Sequence, residues 1–182
     1  MGYAIAEALA KRGAEVVLVS GKTALQTPNG VRRLDVCSAE DMYKASVAEF
    51  EAADCAVMCA AVADYTPAEV ANEKIKKSDA EFTLTLRKTK DIAFELGKVK
   101  GSRKLVGFAL ETNDEQSNAE KKLTSKNLDM IVLNSLRDEG AGFGHDTNKV
   151  TFIDASSREE LPLLTKAEVA ERIADRIEKL LK

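Results

Sequence analysis

The residues best suited to chemistry follow one apolar segment. Asp64 closes residues 55–63, a run of small and apolar side chains, and the run Lys74-Ile75-Lys76-Lys77 comes soon after it. In an open α/β sheet, ligands bind outside the carboxyl ends of the strands, and small side chains there let a flat ring approach the backbone. An acid and several cations at that edge suit a planar polar group joined to a polyanion. A nucleotide fits this description.

The same residues also have a plain structural interpretation. Buried strands are often rich in Ala and Val, an Asp after a strand can cap a turn, and Lys-x-Lys-Lys is usually a solvated face. The segment alone therefore leaves both a nucleotide site and an ordinary surface corner open.

Length and composition describe one ordinary globular domain. The chain has 182 residues, of which 45% are hydrophobic and 31% charged, so it can bury a core without metals or disulfides. A net charge of −3 gives the chain no overall positive potential to attract duplex nucleic acid, and we expect no such partner. No apolar run approaches the roughly 20 residues that span a bilayer, and the amino terminus lacks a signal-like stretch. We therefore expect a cytoplasmic protein without membrane contact.

Cysteine and histidine usage excludes several kinds of site. Cys37, Cys55 and Cys59 are odd in number and lack C-x-x-C spacing, so we expect reduced core residues. His145 is the only histidine, which leaves a multi-histidine metal site or a Ser-His relay without its residues.

Short apolar runs alternate with amphipathic helices along the whole chain. This pattern predicts an α/β fold with a doubly wound, mostly parallel Rossmann-like sheet, helices on both faces and an antiparallel edge hairpin. The predicted strands are residues 15–20, 31–36, 55–63, 82–87, 104–109 and 130–133, and the hairpin pairs 149–153 with 161–164. The predicted helices are residues 5–12 before Gly13, 38–53 with a Ser38/Asp41 capping box, a short helix from Asp91, 112–126 with a Thr112/Glu115 capping box, and a last helix capped by Thr165 and Glu168.

Four further residues admit a ligand-binding role. Lys122 and Lys126 stand one turn apart on a predicted helix, so they either grip one phosphate together or simply favour the carboxyl end of the helix dipole. Asp91 opens a helix, where it either holds Mg²⁺ beside an oxyanion or serves as a plain N-cap. Phe108 ends a strand and either stacks on a base or belongs to the core.

Other motifs point less clearly to chemistry. Ser20-Gly21-Lys22-Thr23 resembles the end of a P-loop, but Val16 stands where that pattern requires a glycine. Asn134 follows a strand and contacts either a ligand or a turn. His145 lies in a glycine-rich loop, where a solvated residue is commoner than a catalytic acid.

Five segments, however, occur together in a recognisable order and spacing: Ala60-Ala61-Val62-Ala63-Asp64-Tyr65, Glu73-Lys74-Ile75-Lys76-Lys77, Lys90-Asp91-Ile92, Val106-Gly107-Phe108-Ala109-Leu110-Glu111-Thr112 and Lys122-Leu123-Thr124-Ser125-Lys126-Asn127. On these segments the chain resembles the bacterial phosphopantothenate–cysteine ligases, also called phosphopantothenoylcysteine synthetases. The resemblance covers essentially the whole chain, and the first two segments are highly specific to that family.

The resemblance implies a ligase of coenzyme A biosynthesis. Family members join phosphopantothenate to cysteine, and the bacterial forms use CTP as co-substrate together with Mg²⁺. The carboxylate of phosphopantothenate attacks the α-phosphate of CTP and releases pyrophosphate; the cysteine amine then displaces CMP from the acyl-cytidylate. Family members form dimers, so the resemblance also implies a homodimer, with the loop after Asp64 near the partner.

The resemblance also implies residue roles. Lys74 would contact the phosphates in both half-reactions and is the catalytic candidate, and Asp91 would contact the metal ion. The residues that match nucleotide-binding positions of the family are Ala60, Asp64, Lys74, Lys90, Asp91, Ile92, Ala93, Phe108, Lys122 and Lys126.

The chain departs from the family pattern at two places. Thr89-Lys90 stands where many bacterial members have Asn-Pro, a change that alters the stiffness of the turn and adds a charge. The family's first strand, its glycine-containing turn and the Ser-Asn-His-Ser-Ser-Gly stretch with the catalytic asparagine have no counterpart here. We therefore expect a single nucleotide-binding domain over residues 1–182 that lacks its opening strand, binds CTP and is a poor ligase by itself.

Two other functions stay open on the residues alone. One is an NAD(P)-dependent oxidoreductase, because residues 11–19 suit a Rossmann second strand, although no Tyr-x-x-x-Lys pair or G-x-G-x-x-G is present. The other is a non-catalytic nucleotide-binding module. Stabilisation by NADPH and not by CTP in a thermal-shift assay would favour the oxidoreductase.

Overall fold

The computed structural model describes residues 1–71, 73–75, 82–111, 114–135 and 146–182. Its helices are α1 (Gly2–Lys11), α2 (Ala39–Phe50), α3 (Ile92–Val99), α4 (Glu115–Ser125) and α5 (Lys166–Leu180). Its strands are β1 (Val16–Ser20), β2 (Val31–Asp35), β3 (Cys55–Met58), β4 (Tyr65–Pro67), β5 (Leu86–Lys88), β6 (Lys104–Glu111), β7 (Met130–Ser135), β8 (Thr147–Asn148), β9 (Val150–Asp154), β10 (Arg158–Glu160) and β11 (Leu164–Thr165).

A five-stranded sheet forms the centre of the fold, in the order β10-β9-β7-β6-β3. Strands β3, β6 and β7 are parallel, and β9 and β10 add an antiparallel hairpin at one edge. Strands β1 and β2 form a separate parallel pair. This architecture confirms the predicted α/β class with a mostly parallel sheet and an antiparallel edge hairpin.

Helices cover both faces of the central sheet. Successive side chains along a strand point to opposite faces, and apolar residues occupy both sets of positions, so both faces pack against helices. Val106 and Val132 pack with residues of α1 and α5 on one face. Their neighbours Leu105 and Ile131 pack with residues of α2, α3 and α4 on the other. All four side chains are buried, so the parallel strands are covered on both sides as predicted.

The helix boundaries mostly follow their sequence signals. The capping boxes of α2 and α5 form as predicted, at Ser38/Asp41 and at Thr165/Glu168. The predicted start of α4 at Thr112 is wrong, because the N-cap is Asp114 in a left-handed conformation with φ +46°. Thr112 itself lies outside the described residues. Within the described part of the chain, no helix is both long enough and apolar enough to cross a membrane.

The strand predicted over residues 55–63 is wrong beyond Met58. From Cys55 to Met58 the chain pairs with β6, and it then leaves the ladder through short backbone contacts. The N–H of Cys59 lies 3.2 Å from the carbonyl oxygen of Val57, and the N–H of Val62 lies 3.1 Å from that of Ala60. Small side chains give this stretch little packing with which to continue the sheet.

The strand predicted over residues 82–87 is also different in the structure. Only Leu86–Lys88 form a strand, and it pairs with β4 in a two-stranded arm separate from the main sheet. Phe82, Leu84 and Leu86 are 69%, 52% and 50% exposed. The alternating pattern that predicted a half-buried strand therefore faces no core formed by the described residues.

The edge hairpin has a different second strand from the predicted one. β9 pairs with Arg158–Glu160, whereas Leu164–Thr165 pair with β8. The turn is short because the Asp154 carboxylate accepts hydrogen bonds from the N–H groups of Ser156 and Ser157, at 2.8 and 2.7 Å.

The three cysteines are free thiols, but only two lie where the sequence predicts. Cys55 and Cys59 are half-buried, and burial raises the pKa of the Cys55 thiol to about 12. The core position predicted for Cys37 is wrong, because this residue is exposed. The predicted glycine-rich loop and His145 lie outside the described residues.

Candidate functional site

A cavity of about 180 Å³ lies where β3 and β6 end and where α3 and α4 approach the sheet. Its lining combines small side chains with an acid and lysines: Met58, Ala60, Val62, Ala63, Asp64, Thr89, Lys90, Asp91, Ile92, Ala93, Gly107, Phe108, Lys122, Lys126, Leu128 and Ile131. The structure thus brings together every predicted site residue except Lys74.

Gly107 keeps one wall of the cavity open. It pairs with Met58 in β3 and with Ile131 in β7, and all three residues line the cavity. A Cβ atom on Gly107 would lie 2.6 Å from a methyl carbon of Leu128 and 3.7 Å from Cγ1 of Ile131. A side chain here would therefore compete for space with the cavity wall.

Thr89 fixes the wall that residues 60–64 form. Its N–H donates to the carbonyl oxygen of Asp64 at 2.9 Å, and its Oγ1 donates to that of Ala63 at 2.6 Å. Two adjacent carbonyl groups are thus held by one residue. In the sequence, Thr89 is visible only as a departure from the family pattern; its contacts with residues 63 and 64 join distant parts of the chain and leave no sequence signal.

The amino terminus of α3 faces the same cavity. Asp91 is its N-cap, and the carboxylate Oδ1 accepts a hydrogen bond from the N–H of Phe94 at 3.1 Å. Ile92 and Ala93, the first two residues of the helix, also line the cavity. Free N–H groups and the helix dipole at such an end favour an anion.

Asp91 and Lys126 form an ion pair across the cavity, with 2.7 Å between Oδ2 and Nζ. Burial by itself disfavours the charged carboxylate, but the hydrogen bonds from Lys126 and Phe94 and the charges of Lys126 and Lys122 outweigh it. The pKa of Asp91 is consequently lowered. Helix α4 places Lys122 and Lys126 one turn apart along this wall, which is the shared face that their spacing predicts.

Lys90 directs its ammonium group to α2. Its Nζ lies 3.1 Å from Oε1 of Glu40 and 4.1 Å from the centre of the Tyr43 ring. The side chain thus ties the turn before α3 to the start of α2, and its charge is shared with these two partners.

Three further candidates, Lys74, Phe108 and Asn134, differ from Lys122 and Lys126 in their positions relative to the cavity. Lys74 is exposed and does not line the cavity, and Lys76 and Lys77 lie outside the described residues. Phe108 lines the cavity and also packs against the core cluster of α1 and α5, so both of its predicted roles remain compatible with its position. Asn134 lies outside the cavity lining, and its buried Oδ1 has no hydrogen-bond partner among the residues that the structure describes.

A second, larger cavity of about 640 Å³ lies between the first turns of α4 and the edge strands β9 and β10. Its lining includes Lys149, Arg158 and several carboxylates, and none of the predicted site residues. No group of three or more His, Cys, Asp or Glu residues that could hold a metal ion occurs among the described residues.

A family model described as the DNA/pantothenate metabolism flavoprotein C-terminal domain matches residues 1–181. The chain belongs to this family. The assignment confirms the resemblance to the phosphopantothenate–cysteine ligases and does not favour the oxidoreductase or the non-catalytic module.

Relatives and solved structures agree with this family. The coenzyme A biosynthesis bifunctional protein CoaBC of Bacillus subtilis (strain 168) is 46% identical over an alignment of 184 positions, which covers 100% of this chain and 45% of that protein. A protein of an unknown prokaryotic organism, named Cysteine/Cysteine sulfinic acid decarboxylase, is 52% identical over an alignment of 184 positions, which covers 100% of this chain and 50% of that protein. The chain spans about half the length of these curated relatives.

The fold is shared with two solved structures. The crystal structure of the C-terminal domain of CoaBC superposes with a TM-score of 0.84 at 42% identity, over 99% of this chain and 81% of that one. A Cab2 mutant in complex with phosphopantothenate-cysteine superposes with a TM-score of 0.77 over 99% of this chain and 76% of that one. Its identity is 14%, so it supports the fold alone.

The Asp91–Lys126 pair predicts a pH-dependent stability difference in Asp91→Asn, a variant that keeps an N-cap oxygen and loses the charge. Because the pKa of Asp91 is lower in the folded protein than in the unfolded chain, the pair stabilises the fold above about pH 4, the unfolded value. This contribution is lost as the pH falls through the lowered pKa. We expect the variant to melt below the parent at pH 7 and the gap to close toward pH 2.

Thermal unfolding followed by circular dichroism from pH 7 to pH 2 measures the gap. Asp114→Asn, at an N-cap without a side-chain cap hydrogen bond, controls for the loss of one carboxylate. A gap of equal size at every pH would contradict the role given to the ion pair.

Proposed function

We propose that the chain is the nucleotide-binding part of a CTP-dependent ligase that joins phosphopantothenate to cysteine in coenzyme A biosynthesis. The observation that carries this proposal is the convergence of Lys122, Lys126 and the amino terminus of α3 on one cavity with a wall of small residues. Membership of the family supports it, as does the conservation of the same fold in the CoaBC C-terminal domain.

The geometry suits nucleotidyl transfer because that chemistry needs fixed positive charge more than covalent help from the protein. The carboxylate of phosphopantothenate attacks the α-phosphorus of CTP. The bond between the α-phosphorus and the oxygen that bridges it to the β-phosphorus breaks, and pyrophosphate leaves with that oxygen. Lys122, Lys126 and the N–H groups at the start of α3 offset the charge on the phosphates. The backbone of residues 60–64 provides the surface on which the base and ribose lie.

The second half-reaction uses the same site. The cysteine amine attacks the acyl carbon of the acyl-cytidylate, the bond from that carbon to the phosphate oxygen breaks, and CMP leaves as the nitrogen loses a proton. The lysines of α4 that neutralise the triphosphate are then in place to neutralise CMP. In this proposal they act on charge and position and transfer no proton.

Mg²⁺ fits the carboxylates of the cavity. Asp64 and Asp91 are hard oxygen donors in its lining, and Mg²⁺ is commonly held by one or two carboxylates together with substrate phosphates. Asp91 would hold the ion through lone pairs left over from its contacts with Lys126 and Phe94. When bound, the metal neutralises phosphate charge.

We also propose a homodimer that forms through the β4–β5 arm. Tyr65, Phe82, Leu84 and Leu86 expose half or more of their surface on this arm. Monomeric proteins seldom leave so much clustered apolar surface in water, and such patches often mark interfaces. A second copy of the chain is the partner that the family resemblance implies.

The lysines of α4 provide the direct test of the ligase proposal. In the full natural polypeptide, Lys122→Ala and Lys126→Ala should each lower kcat/KM for CTP by roughly 10²-fold, because each removes a cation from the phosphates. Pyrophosphate release with phosphopantothenate and cysteine present measures this. Lys121→Ala is the matched control, since Lys121 lies on the same helix but outside the cavity lining. Equal rates in all three variants and the parent would refute the proposal.

Lys74 is proposed to contact the phosphates during both half-reactions, as the resemblance implies. Lys74 is exposed and lies outside the cavity lining, so in this proposal its side chain meets the phosphates only in the nucleotide-bound state. We expect Lys74→Ala to lower kcat by about 10²-fold, with only partial recovery in Lys74→Arg, since the guanidinium differs in shape from the ammonium. Unchanged turnover of CTP by Lys74→Ala would remove Lys74 from the mechanism.

The arm gives a separate prediction about assembly. The double variant Phe82→Ser and Leu84→Ser should sediment as a monomer at concentrations where the parent is a dimer, because it loses apolar contact area. Leu25→Ser is the control, since Leu25 is similarly exposed but lies between β1 and β2. A double variant that dimerises as tightly as the parent would place the interface elsewhere.

A further inference from the structure

Helices α3 and α4 touch through their backbones at Gly97. A Cβ atom on Gly97 would lie 2.0 Å from the carbonyl oxygen of Lys126 and 2.9 Å from its carbonyl carbon. No side chain fits at this separation, so the last turn of α3 rests directly on the end of α4. The contact joins the two helices whose other residues line the nucleotide cavity.

Asn127 adds a side-chain hydrogen bond at this contact. Its Nδ2 donates to the carbonyl oxygen of Gly97 at 2.9 Å. The bond links residues that are far apart in the sequence, and it does so next to Lys126, which forms an ion pair with Asp91.

The backbone of Asn127 also ends α4. Its φ is +51°, a left-handed conformation that Asn tolerates better than most residues. The N–H of Leu128 donates to the carbonyl oxygen of Leu123 at 2.9 Å, and the N–H of Asn127 donates to that of Thr124 at 3.2 Å. These two bonds form a Schellman motif with Asn127 at the position that glycine usually occupies. Glycine would satisfy this backbone role, but it could not supply the bond to Gly97.

The two helices are therefore fastened at two points. Lys126 meets Asp91 at the start of α3, and Asn127 meets Gly97 about 9 Å further along the same helix, at 1.5 Å per residue. Both side chains of the ion pair are partly exposed, at 26% for Lys126 and 47% for Asp91, so this pair alone constrains the end of α4 only weakly relative to α3. Leu123 and Leu128 hold this end in the core, and the bond from Asn127 to Gly97 adds a second constraint relative to α3.

We propose that Asn127 is a positioning residue for nucleotide binding: through its amide bond to Gly97 it holds the end of α4 so that Lys126 faces the cavity opposite Asp91. The proposal rests on the proposed function for the identity of the ligand, a nucleoside triphosphate. Asn127 itself does not line the cavity, so it acts through Lys126.

Asn127→Gly in the full natural polypeptide separates the two roles of the residue, because it keeps the positive φ and removes only the amide. We expect KM for CTP to rise roughly fivefold to tenfold while kcat stays within about twofold, since the ground state and transition state lose the same contact. In a Lys126→Ala background the same change should alter KM by less than about twofold, because a residue that acts through Lys126 has nothing left to position.

A readout without nucleotide accompanies the kinetics. The Asp91 carboxyl carbon, titrated by NMR and assigned by comparison with Asp91→Asn, should show a pKa closer to the ordinary value in Asn127→Gly as Lys126 moves away. Asp114→Gly is the matched control: Asp114 is the other non-glycine residue with positive φ in the described part of the chain, at the opposite end of α4. It should leave both the Asp91 titration and KM for CTP as in the parent.

The outcomes separate the two proposals. Unchanged KM and unchanged Asp91 titration in Asn127→Gly overturn the positioning role, as does an equal rise in KM with and without Lys126. If the Asp91 titration shifts as expected but Lys126→Ala leaves CTP turnover intact, Asn127 does position Lys126 and the ligase proposal fails.

Discussion

The ammonium groups of Lys122 and Lys126 lie one helical turn apart and repel each other. The folded protein has to compensate for this repulsion when no ligand is bound. Asp91 offsets this repulsion because its carboxylate pairs with Lys126 at 2.7 Å and also attracts the charge of Lys122, and both lysines lower its pKa. The same carboxylate caps α3. The Asp91 side chain therefore has two roles: it caps the start of α3, and it reduces the electrostatic repulsion between Lys122 and Lys126. The contacts that hold α3 against α4 matter because they keep this arrangement in register.

The turn between β5 and α3 illustrates how stiffness can come from contacts across the fold. The family pattern described under the sequence analysis places Asn-Pro in this turn, where a proline ring would restrict the backbone directly. Here Thr89 is bound to the carbonyl groups of Ala63 and Asp64, and Lys90 lies against Glu40 and over Tyr43. The turn is thus braced on one side by the cavity wall and on the other by α2. The charge of Lys90 is shared with Glu40 and the Tyr43 ring of α2, while the residue itself lines the cavity.

Much of the fold was predictable because it depends on local patterns. Buried parallel strands such as β6 and β7 are mostly apolar runs in the sequence. The capping boxes of α2 and α5 each form between two residues only three positions apart, so both can be recognised locally. The prediction failed for residues 82–87, where alternation was correctly observed but the surface it faces does not belong to the core of this chain. It also failed at Met58, because the point where a strand leaves a sheet depends on what its neighbours can still pair with.

The candidate site was predictable only in its main residues. Their positions came from a family pattern, and the cavity brings all of them together except Lys74. The contacts of Thr89, Gly97 and Asn127 were not predicted because they join segments that are distant in the sequence, and such contacts leave no periodic signal. A glycine inside a helix, such as Gly97, is the one feature that hinted at a close approach of two backbones.

Side chains alternate between the two faces of the sheet along β6 and β7, so adjacent residues have different surroundings. Val106 and Val132 serve the α1–α5 side, whereas their immediate neighbours Gly107 and Ile131 border the cavity. Ile131 is also buried in the core cluster of α2, α3 and α4, and Phe108 lines the cavity although it packs against the α1–α5 cluster. The cavity wall therefore consists partly of residues that also hold the sheet to its helices, so a change in the shape of the cavity has to be matched by repacking on at least one face of the sheet.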